Sequence, residues 1–111
     1  MMTVNLVKEK LGLKQLTFSG ENEREVTGCY IGDLLSWVMG RAQSGDAWLT
    51  IMGNINSIAV AALADVACII LTENAALDEA ARAKAEQQEI LIFQTEDNSY
   101  QLALKISEFL K

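Results

Sequence analysis

The chain has 111 residues, half of them hydrophobic, with nine Lys and Arg against fifteen Asp and Glu for a formal net charge of −6. That length predicts a single domain over residues 1–111, and the acidic balance argues against nucleic acid and anionic membranes, which are both bound through clustered cations. There is no His, and the only Cys are Cys29 and Cys68, so a His-based acid/base centre, a zinc site and a disulfide framework are not expected, and a reducing compartment fits.

The first fourteen residues carry charges where a signal peptide needs an apolar stretch. Residues 55–71 come nearest to a membrane span, but Asn56, Ser57 and Asp65 interrupt them and they fall short of the ~20 apolar residues a bilayer demands. A cytoplasmic protein is therefore expected. Val4, Val7 and Leu11 recur at helical spacing after Thr3, which predicts a helix capped by Thr3 and stopped by Gly12. Residues 13–18 read as a strand, the polar run 19–25 as a solvated connection, and residues 26–31 as a second strand whose regularity Gly28 leaves open.

Asp33 is then expected to cap a helix through Leu34, Leu35, Trp37, Val38 and Met39, ended near Gly40 and Gly45. Residues 47–52 read as a strand broken by Gly53, and Asn54 or Asn56 caps a helix running to about Ala64. Residues 66–71 form the continuous apolar run of a strand covered on both faces. An Ala-rich charged helix over 78–88, a strand over 90–93 and a last helix opened by Asp97 or Asn98 complete the chain. Leu102, Ile106, Phe109 and Leu110 give that last helix one apolar stripe.

Three strand-then-helix units with short connections follow residue 46. They predict an α/β fold: a three-layer α/β/α sandwich around a largely parallel sheet of about five strands. In such sheets the loops leaving the strand C-termini share one edge, where ligands usually bind. The candidate ligand rim is therefore Asp33, Gly53, Asn54, Asn56, Thr72, Glu73, Asn74 and Thr95. Those loops hold Asp33, Glu73, Glu96 and Asp97 but no Lys or Arg, so a polyphosphate would need Mg²⁺ to intervene.

The helix over residues 55–64 is apolar on every side, and a helix apolar all round is normally buried all round. One sheet covers one side of it. The other side needs a second layer, which either the last helix of the same chain or a second copy supplies. A homodimer is the more economical of the two, with Trp37, Ile58, Ala61 and Ala62 as candidate interface residues and small Ala side chains allowing close approach.

Residues able to do chemistry are few. Cys68 lies inside an apolar strand and reads as core. Cys29 is the better candidate thiol, and a thiol-dependent enzyme is the reading it would support, but no basic neighbour lowers its pKa. Asp33 reads as a cap before it reads as a general acid. No nucleophile–base pair and no Gly-rich phosphate loop can be assembled. No catalytic, cofactor-binding or metal-ligating residue is assigned, and no cofactor is expected.

The strings VTGCYIGDLLSWVMGRA and AWLTIMGNINSIAVAALADVACIILTENAALDE (from residue 26 onward) resemble the DRTGG domain family, and residues 30–40 are the most particular piece. The resemblance spans residues 26–110 and is closest to small stand-alone members, with related domains in HPr kinase, phosphotransacetylases and CBS-domain pyrophosphatases. It implies a regulatory or dimer-forming module, accessory to a hydrogenase-type redox complex in anaerobes. The family is named for an Asp-Arg after one strand and a Thr-Gly-Gly after the next. Here the first place reads Gly53-Asn54-Ile55 and the second Thr72-Glu73-Asn74, so the arginine suited to a phosphate and the glycines that let backbone approach it are replaced. Two functions follow as expectations: a homodimeric, non-catalytic regulatory or interaction module with a protein partner, or a sensor that binds an adenine nucleotide or other small polar metabolite at the rim.

Overall fold

The computed structural model describes residues 2–17 and 23–110. The first helix, α1 (Val4–Leu11), begins where the Thr3 hydroxyl accepts a bond from the Leu6 N–H and stops at Gly12, whose φ of 62° is the left-handed conformation glycine tolerates. The strand expected over 13–18 contracts to β1 (Lys14–Gln15). One more backbone bond follows, from the Leu16 N–H to the Ile92 carbonyl, and the ladder ends at Thr17, whose hydroxyl donates to the Ile90 carbonyl and accepts from the Ile92 N–H. Phe18 and most of the expected connection lie outside the described residues.

The remaining elements are β2 (Gly28–Ile31), α2 (Leu35–Arg41), β3 (Asp46–Thr50), α3 (Ile55–Ala64), β4 (Cys68–Leu71), α4 (Glu79–Gln88), β5 (Ile92–Gln94) and α5 (Ser99–Ser107). The five strands lie in the order β1-β5-β4-β3-β2. Strands β2 to β5 run parallel, and β1 is antiparallel to β5 with Lys14 opposite Gln94. The fold is thus the expected α/β sandwich.

Strand alternation divides the core. Leu49, Cys68, Ile70 and Phe93 meet Val4 and Val7 of α1 and Leu102 and Ile106 of α5. Trp48, Ile69, Leu71 and Ile92 meet Val38 of α2, Ile58 and Ala61 of α3, and Ala81 and Ala85 of α4. Every residue of β3 and β4 is buried, which accounts for their unbroken apolar runs. Between the two expected cap residues the structure selects Asn54, which accepts from the Ser57 N–H, and Asn98, which forms a capping box with Gln101.

Two expectations are corrected. Asp33 does not cap α2, whose N-cap is Leu34 with no side-chain bond. Its carboxylate instead accepts from the Thr50 hydroxyl at 2.6 Å and the Ile51 N–H at 3.0 Å, tying the ends of β2 and β3 together. A carboxylate in that place satisfies a strand-end amide and a buried hydroxyl with charge-assisted bonds. Likewise Ile58 and Ala61 do not face a partner: they turn inward, toward the sheet and the flanking helices. Helix α5 lies on the opposite face and does not cover α3. The outward ridge of α3 is Ile55, Ala59, Ala62 and Leu63.

Helices α3 and α4 end at Asp65 and Glu89, both left-handed at φ 59° and 57°. A side chain with a Cβ costs about 1–2 kcal/mol in that conformation, and a carboxylate opposes the helix dipole there. Arg24 offsets the charge of Asp65, donating to its carboxylate at 3.0 Å and its carbonyl at 2.7 Å. The Glu89→Gly variant removes both penalties at an exposed position. It is expected to raise stability by about 1 kcal/mol, read as a higher urea midpoint at unchanged slope.

Candidate functional site

Because β2 to β5 are parallel, their C-terminal ends bring Asp33, Gly53, Asn54, Thr72, Glu73, Asn74 and Thr95 to one edge of the sheet. Asn56 falls on an exposed position of the first turn of α3, away from the capping bond. The groups that converge are largely used by the chain itself. Thr72 is fully buried, and its hydroxyl lies 2.9 Å from that of Ser99, joining β4 to the start of α5. Glu73 and Asn74 both take left-handed conformations, and their N–H groups donate to the carbonyls of Asp97 and Thr95 at 2.8 Å.

Gly53 shows how tightly this edge is closed. A Cβ added there would sit 2.1 Å from the carbonyl oxygen of Ala76, so the segment between β4 and α4 lies directly on it. Asp78 donates its N–H to the Gly53 carbonyl, and the Gln94 amide holds the Ala75 carbonyl at 2.9 Å. Glycine is required here for close approach of the chain's own backbone. Any ligand reaching Gly53 would first have to displace that segment.

The rim is not without cations, contrary to the expectation from its loops. Lys105 reaches back from α5 to the Asp97 carboxylate at 2.7 Å. Lys14 is brought alongside by the antiparallel pairing of β1. With Asn74, Gln94, Thr95 and the acids Glu96 and Asp97 they line an open groove of about 460 Å³. Lys105 follows Asp97 by eight residues, a little over two helical turns, which was a usable signal. Lys14 carried none, since its position depends on which strand β1 joins.

Neither thiol is activated. Cys29 is an exposed residue on β2, yet burial of its thiol, and then the Asp46 carboxylate, push its pKa up to about 11. Cys68 is buried and pushed up to about 12, chiefly by desolvation. Asp65, at the opposite end of the sheet, is held below the usual carboxylate range by its bonds to Arg24 and Ser44. Among the described residues no group of three or more His, Cys, Asp and Glu is placed to hold a metal, and no helix is long and apolar enough to cross a membrane.

What the surface does offer is apolar. Ile31, Leu34, Trp37 and Met39 stand exposed on β2, α2 and the turn between them. Ile55 and Leu63 do so on α3, and Tyr100 and Leu104 on α5. Trp37 is 53% exposed and packs its ring under the Arg41 guanidinium.

The family model of the DRTGG domain matches residues 7–109. The chain belongs to the DRTGG domain family. The match begins within α1, so the family signal reaches further toward the N-terminus than the motifs at 26–110. Among solved structures, the chain is similar to the CBS and DRTGG domains of the regulatory region of a Clostridium perfringens pyrophosphatase, in complex with the activator diadenosine tetraphosphate. The superposition has a TM-score of 0.70 at 10% identity and covers 93% of this chain and 45% of that one. The chain thus spans less than half the length of that relative, and at this identity the likeness shows the fold. No curated protein matches by sequence. Gly53-Asn54 and Glu73-Asn74 are folded under or bonded to the chain's own loops.

The thiolate is the reactive form of cysteine, so a pKa near 11 predicts slow labelling of Cys29 at pH 7.5. The rate should climb with pH until about 11. Rapid labelling at pH 7.5 by a thiol-reactive chromophore would contradict the structure.

Proposed function

We propose that this DRTGG domain is a non-catalytic regulatory module that works as a homodimer through its exposed apolar surface. The observation that supports the reading is the contrast between the two surfaces of the molecule. The strand-end rim spends its polar groups on internal bonds, whereas large apolar side chains on β2, α2, α3 and α5 face water. Large apolar side chains left exposed in such number mark interaction sites where they adjoin one another. A second copy is the fitting partner for a chain of net charge −6, because the surface in question is almost free of acids: α3 has no charged residue and α2 only Arg41. Two copies can meet there without bringing carboxylates together. Sedimentation or light scattering at micromolar concentration is expected to give twice the mass of the chain, and a mass of one chain would refute the homodimer.

A second reading is favoured by the groove at Lys14, Lys105, Asn74 and Thr95, whose two ammonium groups suit an anionic small molecule such as an adenine nucleotide. The relative's complex with diadenosine tetraphosphate lends this reading support. Lys105 is already neutralised by Asp97, so the sensor reading ranks below the dimer. A thermal-shift panel of nucleotides with and without Mg²⁺ tests it: saturation at 100 times Kd would stabilise by about 2.7 kcal/mol, and an unmoved melting temperature throughout would remove it.

A further inference from the structure

The two edges of the sheet are treated in opposite ways. At one edge β1 is two residues long, polar, and carries an exposed Lys14. Short, charged edge strands are how proteins prevent unwanted pairing. At the other edge, among the described residues, β2 has a neighbour on one side alone. It has no charged residue, no Pro, and none between positions 26 and 32. The bond from the Gly32 N–H to the Leu49 carbonyl, with the register of β2 on β3, directs the polar backbone of Tyr30 toward β3. That leaves the N–H and carbonyl of Cys29 and Ile31 pointing away from the sheet.

We propose that β2 pairs antiparallel with β2 of a second copy about a two-fold axis at Tyr30, joining two sheets into one of ten strands. This rests on the homodimer reading and specifies its contact. The geometry is self-complementary: Cys29 falls opposite Ile31 of the second copy and exchanges both backbone bonds with it, and the reverse pair does the same. Tyr30 then faces its own counterpart as a non-hydrogen-bonded pair. In this register Asp33 lies opposite Thr27, so no acid meets an acid although each chain carries −6.

The surfaces flanking the edge fit the same contact. On one face α2, which follows β2 in the chain, packs against α3 and leaves Leu34 and Trp37 exposed. On the other, α5 packs on β2 and leaves Tyr100 at 70% exposure and Leu104 at 50%. With Ile31, these side chains present on the order of 500 Å² per copy, so two copies reach the roughly 1,000 Å² that a stable interface requires. A contact through α3 alone would bury Ile55 and Leu63 but leave the β2 edge and these side chains in water.

The test is site-directed crosslinking of the full chain in a Cys29→Ser background. Cα atoms of a non-hydrogen-bonded antiparallel pair lie about 4.5 Å apart, within disulfide range. Under mild oxidation the Tyr30→Cys variant is expected to run as a covalent dimer, and Leu63→Cys, on the outer ridge of α3, is not. Because Tyr30 is partly buried, Ile31→Lys gives a second readout at an exposed position: circular dichroism stays unchanged and the dimer dissociation constant rises at least about tenfold. A wild-type chain that is monomeric by light scattering removes both the homodimer and this contact. A dimer that crosslinks at position 63 but not at 30, or that is indifferent to Ile31→Lys, overturns the edge pairing and leaves the homodimer standing.

Discussion

Everything in this molecule follows from how four parallel strands share a limited number of helices. Three crossovers, α2, α3 and α4, lie on one face of the sheet, and only α1 and α5 remain for the other. Burial is complete over β3 and β4, the strands in the middle, and incomplete over β2. A parallel sheet tolerates little exposure of its backbone or faces. The incompletely covered strand is the one at which the proposed pairing places a second copy.

The closed rim is the counterpart of that open edge. In doubly wound folds the strand C-termini usually hold ligand because their loops keep backbone N–H groups and space available. In this DRTGG domain the segment between β4 and α4 sits on Gly53, and the Glu73 and Asn74 amides are bonded to the loop after β5. The groove that stays open lies to one side, at Lys14 and Lys105, and mixes ammonium groups with carboxylates.

Local chemistry made much of the fold legible in the sequence. Thr3, Gly12, Asn54, Asp78 and Asn98 bound their helices through bonds that span three residues, and signals of that range survive in a linear string. The apolar runs of β3 and β4 announced burial on both faces. What escaped were facts that depend on neighbours in space. An Asp one residue before a helical run looks like a cap, and nothing local says that Thr50 and Ile51 compete for Asp33. A helix apolar all round signals that some face is in excess without saying which, and Ile58 and Ala61 read as outward although they lie inside. Lys14 reaches the groove only because β1 pairs with β5, the last strand in chain order.

Among the described residues, the outward backbone groups of β2 find no partner in a lone chain, and the proposed pair supplies one. Amide hydrogen exchange at Cys29 and Ile31, followed over a dilution series from high to low micromolar protein, tests it directly. Protection that is present in the concentrated sample and fades on dilution, while the amides of β3 and β4 stay protected throughout, is the predicted result. Exchange at both residues that is fast and independent of concentration would contradict it.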